Sequence, residues 1–348
     1  MIDLKKCLIC PRNCGVDRTA GITGVCGMTD NVMISRAALH YWEEPCISGY
    51  SECQMVADRD CNAAESHEQN QKRGSGAVFF TGCNLGCIYC QNIDISGVKQ
   101  NYKSNSEELY LNDKNRLKVP WKTDIRGKEV TIQELADIFI RLQNREHAYN
   151  INLVTGVHFV PQIVEALTIA KKNGLNIPII YNSSGYEKAE TLRLLEGLID
   201  VYLPDMKYIS EDLAAEYSRA MDYPDVSKSA IKEMYRQVGD LAFYKIGDIT
   251  LIKKGVIVRN LLLPGHVRES ESVIEYLHET YGDSIYISIM SQYTPMSHMA
   301  DHPLLSRRVT RREYDRLIDY ALNIGISNAF IQDRHVAKES FVPEWDLK

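Results

Sequence analysis

The chain has 348 residues, ten of them cysteine, with 45% hydrophobic and 25% charged residues, which is enough for one large domain with a full core plus a small appendage. A formal net charge of -6 argues against a nucleic-acid partner. No apolar run approaches the ~20 residues of a membrane helix, and the start "MIDLKKCLICPRNCG" lacks the apolar centre of a secretion signal.

In chain order, the first feature is a cysteine set. Cys7, Cys10, Cys14 and Cys26 give C-x2-C-x3-C-x11-C, with Pro11, Gly15 and Gly24 in the intervening loops. Four thiolates on short loops suit a closed metal site, either tetrahedral zinc or an iron–sulfur cluster, with a structural or electron-relay role. Cys46, Cys53 and Cys61 follow at no standard ligand spacing and read as free thiols in loops. Residues 1–75 show little periodicity, so the expectation is a small metal-stapled N-terminal region without an obvious core of its own. So many cysteines without a secretion signal point to a reducing compartment, hence a cytoplasmic protein with no membrane partner.

"GAVFFTG" (76–82) reads as a buried strand. After a polar stretch, residues 131–147 are apolar at helical spacing, with Thr131 as N-cap and Glu134 three residues on. "INLVTG" (151–156) is the next strand, and the helix at 160–174 stops at Gly174. Strands at 177–185, 199–208, 255–265 and 283–295 are each followed by a helical stretch, including one from Ser210 to Gly239. "NAFIQD" adds a last short strand. Six strand–helix units and a closing strand, apolar at nearly every strand position, predict an α/β protein with a parallel sheet covered by helices. The count falls short of a closed barrel, which favours a partial (β/α)6 barrel over residues 76–335; a doubly wound open sheet is the alternative. Residues 336–348 remain as a C-terminal tail.

Each predicted strand ends in polar residues: Thr155 and His158; Asn182, Ser183 and Ser184; Asp205 and Lys207; Arg259 and Asn260; Gln292 and Tyr293. Parallel β/α folds bind ligands at the carboxyl ends of their strands. The first strand ends in "CNLGCIYC", with Cys83, Cys87 and Cys90 spaced C-x3-C-x2-C. Three thiolates leave a four-iron cluster with one uncovered iron, an open position that a small molecule can fill. Gly82 and Gly86 let the backbone wrap closely around a bulky cluster, and Tyr89 would pack against whatever occupies the open side. His158, His266 and His298 follow strand ends, where a single histidine is more often a hydrogen-bonded structural residue than a catalyst.

This motif, on a loop after the first strand of a partial barrel, resembles the radical S-adenosylmethionine superfamily. "CLICPRNCGVDR", "YNSSGYE", "YLPDMKY", "VRNLLLPGH" and "MSQYTP" extend the resemblance to the branch of pyruvate formate-lyase-activating enzymes. The resemblance implies a [4Fe-4S] cluster on Cys83, Cys87 and Cys90, with the methionine amino and carboxylate groups of S-adenosylmethionine on the fourth iron. It implies reductive cleavage of the sulfur–C5′ bond to a 5′-deoxyadenosyl radical, with an external electron donor such as flavodoxin or ferredoxin. "LVTG" stands where the superfamily has a glycine-rich turn near the methionine amino group, which puts Thr155 there. Asn182 and Ser184 would lie near the ribose or carboxylate, Asp205 and Lys207 would line the mouth, and Arg259 would pair the methionine carboxylate or else form a strand-end salt bridge. The N-terminal cysteines would hold a second [4Fe-4S] cluster or zinc. Residues 50–73 and much of 100–128 read as insertions relative to the branch.

The functional expectation is hydrogen abstraction from a substrate, which the branch resemblance makes a glycine of a glycyl-radical partner enzyme. A second reading keeps the radical chemistry and modifies a peptide or small metabolite. A third, from another class, is a non-catalytic iron–sulfur or zinc protein that carries electrons or binds a partner.

Overall fold

A computed structural model of the chain describes residues 3–49, 73–97 and 126–331. The two expected insertions and the C-terminal tail lie largely or wholly outside these residues, as do Cys53 and Cys61.

The described residues form β1 (Val32–His40), α1 (Pro45–Ser48), β2 (Ser75–Phe80), α2 (Ile93–Ser96), β3 (Lys128–Val130) and α3 (Ile132–Asn144). Then come β4 (Asn150–Val154), α4 (Val160–Lys172), β5 (Ile179–Ser183), α5 (Ala189–Leu192), β6 (Val201–Pro204), α6 (Glu211–Ser218) and α7 (Tyr223–Val238). The series closes with β7 (Ala242–Ile246), β8 (Ile249–Leu261), α8 (Val267–Tyr281), β9 (Tyr286–Met290), α9 (Arg311–Asn323) and β10 (Ala329–Ile331). The sheet runs β10-β9-β8-β6-β5-β4-β2-β1-β3. From β2 to β10 every neighbouring pair on this path is parallel. This is the expected mixed α/β architecture, consistent with a partial barrel.

The strands are buried on both faces. Ile151, Leu153, Tyr181, Tyr202, Val258 and Ile287 belong to the core shared with the helices. Ile180, Val201, Leu203 and Ile257, at alternate positions, pack together on the inner face. Alternation of this kind explains why the strands read as continuous apolar runs. Helix α3 starts as its sequence predicts: the Thr131 hydroxyl accepts from the Glu134 amide at 3.1 Å, and the Glu134 carboxylate accepts from the Thr131 amide at 2.7 Å.

Three features depart from the sequence reading. Residues 32–40 form β1, which pairs antiparallel with β2 and extends the barrel sheet. The chain then turns inward, so that Cys46 and Ile47 of α1 pack against the inner-face residues of β5, β6 and β8. Asn150 of β4 holds this segment by donating to the Ile47 carbonyl at 2.8 Å. The single helical stretch expected over 210–239 is two helices, broken where Arg219 takes a φ of 51°. Finally, β7 and the first half of β8 form an antiparallel hairpin turning at Gly247, φ 58°. None of the helices among the described residues is long and apolar enough to cross a membrane.

Candidate active site

The loop carrying Cys83, Cys87 and Cys90 leaves the carboxyl end of β2. Gly82 and Gly86 have φ of 89° and 73°, left-handed backbone that residues with a Cβ rarely adopt. Gly82 also has no room for a side chain, since a Cβ there would stand 2.7 Å from the Cys26 carbonyl oxygen. These turns bring the three thiols to one cavity of ≈ 300 Å³.

Each sulfur faces a donor. The Leu85 amide donates to Cys83 at 3.4 Å and the Ser218 hydroxyl to Cys87 at 3.1 Å. Cys90 is supported by the Ser96 side chain and the Asn92 backbone. Burial, reinforced by Cys83 and Cys87, pushes the Cys90 thiol up to about 12, and burial raises Cys87 as well. A metal centre reverses that cost because its charge deprotonates coordinating thiols. No further cysteine among the described residues lines the cavity. Three sulfurs with donors aimed at them, and no fourth, fit an iron–sulfur cluster with one iron left open to a ligand.

The aromatic residue between the second and third cysteines lines the same cavity. Tyr89 packs edge-on against Tyr217 and Tyr293, each at 6.3 Å between ring centroids. Its hydroxyl meets Tyr208 at 2.7 Å, Tyr208 meets Ser218 at 2.9 Å, and Ser218 reaches Cys87. The loop is fixed from outside by His298, 2.6 Å from the Ile88 carbonyl, and by Gln91, which donates to the Gln292 carbonyl at 3.0 Å.

Strand-end residues complete the wall. Thr155, Asn182, Ser184, Asp205, Lys207 and Arg259 all line the cavity. Thr155 has a φ of 58°, an outlier for a β-branched residue of the kind found at functional sites. Its amide donates to the Asn182 carbonyl at 2.8 Å. The ends of β5 and β6 meet backbone to backbone: a Cβ at Gly185 would stand 2.2 Å from the Asp205 carbonyl oxygen. Tyr223 fastens the junction, its hydroxyl 2.9 Å from the Ser184 carbonyl and 3.0 Å from that of Asp205. Lys207 pairs with Asp205 at 2.6 Å, and its charge also acts on the Cys87 thiol.

Arg259 is committed within the protein. Its guanidinium grips Glu44 through two hydrogen bonds, at 2.8 and 2.6 Å, and also binds Glu43. Glu44 is held below the usual carboxylate range by Arg259, against its own burial. This is the salt-bridge alternative of the sequence reading, with partners 215 and 216 residues away. Glu43, Glu44, Trp42 and His40 line the cavity from the inserted segment. Sequence reading missed them because nothing local marks residues 40–44 as barrel-facing.

Four strand-end candidates turn away. His158 is fully buried behind the sheet, 2.7 Å from the Thr81 carbonyl, and burial lowers it to about 3, so it is neutral. Asn260 donates to the Met206 carbonyl and Tyr293 to the Leu305 carbonyl. His266 pairs with the Tyr217 hydroxyl at 2.8 Å.

The N-terminal cysteines gather outside the cavity. Cys7, Cys10 and Cys26 are buried and Cys14 is half-buried. Burial first, then Cys26, pushes the Cys10 thiol up to about 12; Cys14 and Cys7 add to the rise. Arg12, between Cys10 and Cys14, ties this loop to the barrel by donating to the carbonyls of Asn84 and Leu85 at 2.8 Å.

Comparison with known proteins bears on this geometry. The chain is 27% identical over 248 residues to an uncharacterized protein of Methanocaldococcus jannaschii, covering 71% of this chain and 62% of that protein's length. Residues 77–277 match the Radical SAM superfamily. That span contains the whole C-x3-C-x2-C loop and the strands from β4 to β8, and is more than half of the chain. A radical SAM domain implies an enzyme that uses a four-iron–four-sulfur cluster and S-adenosylmethionine and takes an electron from a donor. The chain therefore belongs to the radical SAM superfamily.

Proposed function

We propose that Cys83, Cys87 and Cys90 hold the cluster and that the cavity binds S-adenosylmethionine on its open iron. One observation carries this reading: the three thiols share a cavity with Thr155, Asn182, Ser184, Asp205 and Lys207. When bound, cluster and cofactor together supply a one-electron cleavage that leaves a radical able to abstract hydrogen.

The protein's own residues bind and orient. The strained turn at Thr155 exposes backbone to the cofactor's methionine end. Asn182 and Ser184 offer hydrogen bonds to its ribose or carboxylate. Lys207, balanced by Asp205, offsets negative charge beside Cys87. Tyr89, locked by its aromatic neighbours, closes the side of the loop and keeps water from the reacting atoms. A low-potential donor such as flavodoxin or ferredoxin would supply the electron, in the reducing cytoplasm that the cysteine content suits.

A volume of ≈ 300 Å³ lies at the small end of ligand sites. Cluster and cofactor together would fill it, with no room for a large substrate beside them. This supports a substrate that presents a short segment at the cavity mouth, in keeping with the activation of a glycyl-radical partner. A second reading, a small polar substrate, is favoured by the Glu43–Glu44–Arg259 group on the cavity wall.

Two measurements test the proposal. Equilibrium binding of S-adenosylmethionine to the reconstituted protein should weaken at least several-fold in Asn182→Ala with cluster iron unchanged; unaltered affinity would remove Asn182 from the site. Electron paramagnetic resonance of the reduced enzyme with S-adenosylmethionine and a candidate partner should show a glycyl-radical doublet. Product formed only on small molecules would favour the second reading.

A further inference from the structure

Arg18 is completely buried. Its guanidinium donates to the Thr29 carbonyl, to the His158 carbonyl at 2.6 Å, and towards the Cys7 sulfur at 4.0 Å. Among the described residues it has no carboxylate partner. A buried guanidinium stays charged, and a buried charge without a counter-charge is strongly destabilising. The anion it needs must come from what surrounds it.

Two of the four N-terminal cysteines face it. Cys7 is in reach of the guanidinium, and Arg18 also acts on Cys26. Arg12, likewise without a carboxylate among the described residues, acts on Cys14 from the other side. The Val25 amide donates to the Cys14 sulfur at 3.3 Å, and Gly24 permits that approach, since a Cβ there would stand 2.8 Å from the same sulfur. Protonated thiols cannot neutralise two guanidiniums; thiolates bound to a metal centre can.

The two candidate centres differ in the spacing they require of their thiolates. A zinc ion draws its thiolates to about 2.3 Å from one point. Among the described residues no three Cys, His, Asp or Glu side chains close around a single point in that way. The same holds for Cys83, Cys87 and Cys90, whose superfamily uses a cluster. A four-iron cluster places each thiolate on its own iron and holds them further apart.

We propose that Cys7, Cys10, Cys14 and Cys26 hold a second four-iron–four-sulfur cluster whose buried counter-charge is Arg18. With all four irons covered, this cluster has no open position for a ligand. It abuts the barrel's cysteine loop, because the Cys26 carbonyl packs on Gly82 next to Cys83 and His158 links Arg18 to the Thr81 carbonyl. The proposal does not depend on the S-adenosylmethionine reading.

The test uses the full chain, reconstituted with iron and sulfide without oxygen. Cys83, Cys87 and Cys90 changed together to Ala should leave about four irons per chain and the broad visible absorption of a cluster. Changing Cys7 and Cys10 to Ser in that background should abolish both. A triple variant that binds no iron, or that takes up a single zinc ion instead, overturns the proposal. For Arg18, the thermal midpoint is compared between metal-stripped and cluster-loaded forms of the triple variant. Loading should raise the midpoint by more with Arg18 or Arg18→Lys than with Arg18→Met. Equal rises would reduce Arg18 to a structural role, and the midpoint difference remains readable even where Arg18→Met is less stable in both forms.

Discussion

The Ser218 hydroxyl donates to the Cys87 sulfur at 3.1 Å, from a position 131 residues further along the chain. It sits at the end of α6, where the helix breaks at Arg219, and its other neighbour is the Tyr208 hydroxyl. A helix terminus is thus built into the support of the cysteine loop. Hydrogen bonds to cluster sulfurs stabilise the more negative, reduced state. Ser218→Ala should therefore keep its iron and lower the reduction potential of the barrel cluster. A hydrogen bond of about 1 kcal/mol corresponds to a shift on the order of tens of millivolts. A redox titration followed by electron paramagnetic resonance measures it, and an unchanged or raised potential would contradict the role assigned to Ser218.

Arg259 neutralises two buried carboxylates of the inserted segment. Arg259→Leu leaves Glu43 and Glu44 without their cation, at a cost of about 3–5 kcal/mol. Urea unfolding should show that loss, and it should largely disappear in the combined variant Arg259→Leu, Glu43→Gln, Glu44→Gln. A single variant less than about 1 kcal/mol below wild type would mean that the cation is not what makes these carboxylates tolerable.

Glu187 gives the fold a pH dependence. It is buried beneath the end of β5, bound to Ser183 and to the Tyr181 hydroxyl at 3.1 Å, and burial raises it from 4.5 to about 7. The folded state therefore holds a proton that the unfolded state has released. Stability falls as pH rises from about 4.5 to about 7 and is level beyond. Glu187→Gln should flatten that slope and leave the protein more stable at pH 8, by on the order of 3 kcal/mol. Parallel stability–pH curves for the two proteins would show that Glu187 is ionised in the fold.

Most of the parallel sheet was legible because its information is local. Strands covered on both faces read as apolar runs, and the polar residues that end them, with the three-cysteine loop, lie next to them in sequence. The inserted segment was not legible. Strand β1 carries Arg36 and His40 among its apolar residues, which blurs the alternation, and α1 is a single turn. The β7–β8 hairpin carries a turn signal in Gly247-Asp248, between alternating residues, that the surrounding parallel strand–helix pattern masks. Arg18, Ser218 and the partners of Arg259 could not be found from sequence, because each acts on residues brought near only by the fold.

Thr155 carries strain in its backbone. A β-branched residue in left-handed conformation costs of order 1–3 kcal/mol, and glycine removes the steric part of that cost. Thr155→Gly should be as stable as wild type or up to about 1 kcal/mol more so, despite the flexibility it adds to the unfolded chain. It should also bind S-adenosylmethionine less tightly. Thermal unfolding together with equilibrium binding separates the two effects, and a clear loss of stability would mean that the side chain anchors the turn.

The central claim is that the Cys83–Cys87–Cys90 loop and the strand ends around it form one radical-generating site. The most direct measurement is 5′-deoxyadenosine formed from S-adenosylmethionine by the reconstituted, reduced protein without oxygen, alongside the variant with all three cysteines changed to Ala. The account predicts product from the wild type and none from the variant. Equal yields from both, or no product from wild type carrying a full and reduced barrel cluster, would contradict it.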